Sequence, residues 1–129
     1  MSLGQFNENH AIQTTQFFFV SDGTGQKGVS SQQSFDTRYD QCLCMNAGLI
    51  DHVVNIGFQL GPPNINIISV NVPAGAGLGG VPPVDLLLNF GTTLQPGLVV
   101  PSGSQLAVNL EVAVVADNDV LMTFLGGTL

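Results

Sequence analysis

Positive charge is nearly absent from this chain. Lys27 and Arg38 are its only lysine and arginine, against nine acidic residues, for a formal net charge of −7. A phosphate backbone is held by several Lys or Arg side chains that displace its counterions, so two exclude a nucleic-acid partner. The same shortage excludes an anionic membrane surface. Charge of either sign is scarce as well, at 9% of residues, where soluble domains carry roughly 25%. No apolar run approaches the roughly 20 residues that span a bilayer. Met1–Gln5 has neither a basic segment nor an apolar one, so no signal peptide is expected. Tryptophan is missing and Tyr39 is the only tyrosine, which leaves little for the aromatic stacking that sugar platforms use.

Groups able to do chemistry are few. The only cysteines, Cys42 and Cys44, are spaced C-x-C. On a strand both would point to one face about 7 Å apart, too far for an unstrained disulfide. A zinc site would need two more ligands, and only His10 and His52 are on offer. A pair of small buried thiols is the expected arrangement, and His52, at the head of an apolar stripe, is expected to be a hydrogen-bonded strand-end residue. Gly23–Gly28 spells G-x-G-x-x-G, but Val29–Ser34 after it has no apolar helical face. The dinucleotide fingerprint needs that helix to hold pyrophosphate, so a glycine loop is expected instead. Asp117, Asn118 and Asp119 could offer oxygens to calcium, yet they are also ordinary choices for a tight hairpin turn. Asp36 and Asp40 flank Arg38 and are expected to be solvated loop carboxylates. No G-x-S-x-G occurs. Neither catalytic residues, nor a metal, nor a cofactor are expected, and the chain is not expected to be an enzyme.

What the chain does have is alternation. Apolar residues make up 44% of it, arranged in short segments between Gly and Pro. Residues 1–12 are expected to form a polar N-terminal arm, and 13–129 a single domain with a loop excursion at 22–48. Phe17–Val20 is apolar on both faces and predicts a strand covered on both sides. Phe35–Gly48 admits a short strand near Tyr39–Met45 or a helical turn. His52, Val54, Ile56, Phe58 and Leu60 make a half-buried strand. In Asn64–Val72 the apolar phase slips at Ile67-Ile68, which predicts a β-bulge there. Pro73–Pro83 is an uncharged Gly/Ala/Pro loop. Val84–Phe90 alternates again, and Leu98–Val100 follows. Leu106, Val108, Leu110, Val112 and Val114 form the cleanest stripe, and Asp117-Asn118 turns into Val120, Met122 and Phe124. No 3.6-residue stripe lasts three turns. An all-β antiparallel sandwich of seven or eight strands is predicted.

The closing segments, Leu98–Leu106 (LVVPSGSQL) and Val120–Gly127 (VLMTFLGG), resemble the last strands of jelly-roll domains in virion proteins of tailed bacteriophages. There a V-P-x-G-x-x-L turn feeds a long strand, and the final strand ends in an aromatic and glycine. Taken from Leu98 through Gly127, the resemblance covers about a quarter of the chain and carries no functional residue with it. It implies a jelly-roll-like fold and a multicopy structural role on the virion: a capsid decoration or cement protein, made in the host cytoplasm, that bridges major-capsid subunits. It also implies self-association, often as a homotrimer. The alternative is a carbohydrate- or receptor-binding module of a fibre or spike, with a sugar near Tyr39 or His52. Strands apolar on both faces leave surface that one sheet cannot hide, which points to Phe6, Ile12, Phe17, Phe19, Leu78, Val81 and Leu87 as the association surface.

Overall fold

The computed structural model of the chain describes residues 12–21, 26–60, 65–88, 90–91 and 97–129. Among them are nine strands and no helix: β1 (Ile12–Phe18), β2 (Gln26–Gln32), β3 (Thr37–Asn46), β4 (His52–Gln59), β5 (Ile65–Val72), β6 (Val84–Asp85), β7 (Leu98–Val100), β8 (Gln105–Leu110) and β9 (Val120–Thr128). They form two antiparallel sheets packed as a sandwich. One has the order β1-β9-β3-β6 with β7 also on β3, and the other β2-β8-β4-β5.

The nine strands are one more than the upper expectation because one edge position is interrupted. β7 pairs with Thr37–Tyr39 and β6 with Leu43 and Cys44, both on β3. Counted as a single broken strand, they leave eight positions in chain order 1-8-3-6 and 2-7-4-5. The chain crosses between sheets at every step except the β4–β5 hairpin, which is the strand order of a jelly roll.

The inner faces follow the expected stripes closely in the second half. Val54, Ile56, Leu106, Val108, Leu110, Val120, Met122 and Phe124 are all buried in one core. Removing each such side chain from water stabilises the fold by about 1.5–3 kcal/mol before ordering costs. Phe124 meets the rings of Phe17 and Tyr39 edge-on, both at 5.8 Å. The bulge falls where the phase slips: Ile56 pairs with Ile68 and Gly57 with Asn66, leaving Ile67 extra.

Elsewhere the expectations need correction. Ile12 begins β1 instead of ending an arm. Phe17 and Phe19 turn inward, but Phe18 and Val20 face solvent, so that segment is covered on one side only. The 22–48 excursion contains β2 and β3. β2 shows no apolar stripe because its inward positions are Gly28, against which the Phe17 ring packs, and Ser30, whose hydroxyl accepts from Leu106 N. β3 hides its period because Asp40 is bulged between Tyr39 and Gln41, and because Thr37 and Asn46 are buried polar residues. Asn46 is satisfied there by donating to the carbonyls of Ile50 and Val72 and accepting from Gly48 N.

Three apolar segments stop short. Leu60 lies past the end of β4 and is exposed. Val84–Phe90 keeps only two strand residues, since Asp85 accepts from both Cys42 N and Leu87 N and bends the chain away. Leu86 and Leu87 are then both buried, while Leu88 is exposed. β8 ends at Leu110, and Val112 is exposed although Val114 is buried. The Pro73–Pro83 loop is a series of turns, pinned to β3 by Asn46 N to Ala76 O and Gly75 N to Asn46 O.

β3 is gripped from both sides at its bulge. A Cβ on Gly126 would overlap the Arg38 carbonyl oxygen and crowd Tyr39 Cα, and one on Gly97 would overlap the Tyr39 carbonyl oxygen. The obstacles are backbone and cannot rotate aside. Gly126→Ala is therefore expected to lower unfolding free energy by about 3 kcal/mol, the upper end of overpacking. Gly103→Ala, with φ of 84° but open space around it, should lose only about 1–2 kcal/mol. Urea unfolding of the two variants checks this, and equal losses would contradict the close approach.

Candidate functional site

Most of the polar residues that stood out in the sequence have structural work. Lys27 and Gly28 lie within strand β2, so the glycine motif opens no helix, and Gly23 lies outside the described residues, as do His10 and Phe6. Asp117 accepts from Ser21 N and Asp119 from Ala116 N, with Asn118 left-handed at φ 63°. These carboxylates cap a turn. Asp36 accepts from Ser102 N, and Arg38 Nε is buried without a hydrogen-bond partner. Among the described residues no three His, Cys, Asp or Glu side chains come together as metal ligands.

Tyr39 and His52 are both in the interior, at 0% and 1% exposure. The Tyr39 hydroxyl accepts from Gln33 Nε2 at 3.1 Å and shares a hydrogen bond with Thr15 Oγ1, also at 3.1 Å. Thr37 donates to Gln33 Oε1 at 3.2 Å. This partly buried polar knot joins β1 and β3 to the end of β2. His52 differs from expectation: neither ring nitrogen has a hydrogen-bond partner. A buried polar group without a partner costs about 1–3 kcal/mol. His52→Leu is expected to leave stability unchanged or raise it by about 1 kcal/mol; a clear loss in urea unfolding would contradict an unpartnered ring.

Cys42 and Cys44 are free, fully buried and on the same inward face of β3. Burial pushes the Cys44 thiol from 9.0 up to about 12. Cys42 is raised by burial first, then by Cys44 and Asp85. Held protonated, both are poor nucleophiles. In the unfolded chain they ionise from about pH 9, so above that pH the unfolded state binds fewer protons than the folded one. Stability from these thiols is then complete below pH 9 and lost as pH climbs towards 12. The unfolding free energy from urea titrations should fall above pH 9, by an amount on the order of 1 kcal/mol per pH unit for each thiol. Cys44→Ala should flatten that fall, and an unchanged slope would contradict it.

The feature left without structural work is on the outside of the β1-β9-β3 sheet. Cross-strand register aligns Phe18, Leu121 and Met45 in one row and Gln16, Thr123 and Leu43 in the next. With Pro83 they line a shallow hollow of about 360 Å³. None of these seven residues is ionisable, and Phe18 at 61% stands clear of the sheet. A face of this kind can bind apolar protein surface by shape and desolvation.

Of the residues expected at an association surface, Phe6 lies outside the described residues and the other six divide three and three. Ile12, Leu78 and Val81 are exposed. Phe17, Phe19 and Leu87 are consumed by the chain's own core and cannot reach a partner. The outward apolar side chains of the hollow that were not expected from the sequence are Phe18, Leu121 and Met45; the second parity of Phe17–Val20 and of β9 was the signal for the first two. Comparison with known proteins finds no matching family model, no matching curated protein and no matching solved structure.

Proposed function

We propose that this chain is a structural subunit used in many copies: a jelly-roll virion protein of the capsid-decoration kind, which self-associates and bridges neighbouring subunits of a major capsid shell. The observation that carries the reading is the uncharged apolar face of Phe18, Leu121, Met45, Leu43 and Pro83. In a chain of net charge −7, a face without charge is where a sister copy or a shell can approach with least repulsion. Burying it against a partner releases about 25 cal/mol per Å² of apolar area, from which the cost of ordering is subtracted. The virion setting comes from the resemblance of the closing strands, and the jelly-roll strand order is in keeping with it.

The carbohydrate-binding alternative loses its two named residues, because Tyr39 and His52 are inside the sandwich. A solvent-facing aromatic is needed to stack on a sugar ring, and the one on this face, Phe18, sits among apolar neighbours without sugar-binding polar partners beyond Gln16 and Thr123.

The test is co-sedimentation of the full chain with purified capsid shells, together with Leu121→Glu. Leu121 is half-buried at the centre of the face, so a carboxylate there charges the face while its stem can still lie on the sheet. Expected is co-sedimentation of the parent chain, reduced at least about tenfold in the variant, a loss of roughly 1.4 kcal/mol. A chain that does not sediment with shells, or a variant that sediments equally well, would contradict the proposal.

A further inference from the structure

One edge of the sandwich is a long strand paired on one side only among the described residues. β1 is the outermost strand of its sheet, and among the described residues nothing pairs with it on the side away from β9. The direction of its backbone groups follows from the ladder. Cys42 O accepts from Leu86 N at 2.8 Å, and Cys42 N donates to Asp85, so both Cys42 groups face the β6 side. Alternation along an antiparallel ladder then turns Leu43 and its partner Thr123 towards each other, and turns Met122 and Phe124 of β9 towards Phe17 and Thr15 of β1. Ile12, Thr14, Gln16 and Phe18 are left with their N–H and C=O groups pointing outward.

Edge strands usually carry protection against such pairing: a lysine, a proline, a bulge, or shortness. The other described edges have some. β2 carries Lys27 and a register irregularity, β5 is bulged at Ile67, and β6 and β7 are two and three residues long. β1, IQTTQFF, has seven residues in unbroken register with β9, no charge and no proline.

We infer that β1 joins a second copy of this chain, antiparallel, about a two-fold axis through Thr15. The inference rests on the self-association proposed above and names the element that carries it. An isologous contact must be complementary to itself, and this strand is. Centred on Thr15, the antiparallel register sets Ile12 of one copy opposite Phe18 of the other and Thr14 opposite Gln16. Every outward N–H and C=O then meets a partner, since the residues with outward groups pair with each other. The side chains also match: Ile12 is 86% exposed and Phe18 61%, a β-branched and aromatic pair of the type that stabilises sheets, and Thr14 can hydrogen-bond Gln16. Two five-stranded sheets become one, with the apolar hollows on a common face. The edge joins copies in twos, in place of the threefold arrangement that the resemblance implies.

The experiment exploits a property of edges. Proline is tolerated where the missing N–H would have pointed to solvent. Gln16→Pro removes one outward donor from each copy and leaves the β1–β9 bonds in place, whereas Gln16→Ala keeps that donor. Light scattering on the full chain is expected to give twice the chain mass for the parent and for Gln16→Ala, and the single-chain mass for Gln16→Pro, with melting temperatures of folded protein in all three. A monomeric parent overturns the pairing. So does a Gln16→Ala chain that is also monomeric. If Gln16→Pro remains multimeric and still sediments with shells, the edge pairing falls while the structural role survives.

Discussion

The sandwich depends on how closely β3 can be approached. This strand pairs with β9 on one side and with β6 and β7 on the other, and its inward side chains must pack against the sheet formed by β2, β8, β4 and β5. Gly126 and Gly97 let neighbouring backbone come to Arg38 and Tyr39 without a Cβ between them. Small buried thiols at 42 and 44 occupy the inward positions opposite Phe124 and Met122. Tyr39 fills the remaining volume and fastens its hydroxyl to Thr15 and Gln33. With β3 placed, β9 is held beside it, and β1 is held in turn as the outermost strand.

The second half of the fold was legible because its inward positions are uniformly large and aliphatic or aromatic. Leu106, Val108 and Leu110, and then Val120, Met122 and Phe124, can only sit against a core. The Ile67 bulge was legible for a related reason: when the apolar phase changes inside one strand, an extra residue must be accommodated for both halves to face the core. β2 and β3 were not legible, since Gly28, Ser30, Thr37 and Asn46 are inward residues that look like loop residues, and Asp40 breaks the count. Their burial is made possible by partners distant in sequence, such as Phe17 over Gly28 and Leu106 N on Ser30.

The proposed association surface was half legible. Phe17-Phe18-Phe19-Val20 shows an excess of apolar side chains but not which alternate ones are spare. That choice is made by β9, whose Met122 and Phe124 take Phe17 inward and leave Phe18 out. Leu86–Leu88 poses the same problem, resolved by the bend at Asp85. A charge-poor exterior with its spare aromatic on an unprotected edge strand is the outcome, and it fits a subunit whose surroundings are other proteins.

Amide hydrogen exchange along β1 tests the central claim most directly, because the two parities of one strand report different bonds. Thr15 and Phe17 donate to β9, while Thr14, Gln16 and Phe18 point to the proposed second copy. Expected is protection of all five in concentrated solution, with dilution releasing Thr14, Gln16 and Phe18 and leaving Thr15 and Phe17 slow. Fast exchange of the outward three at every concentration would contradict the claim that this edge is a docking strand.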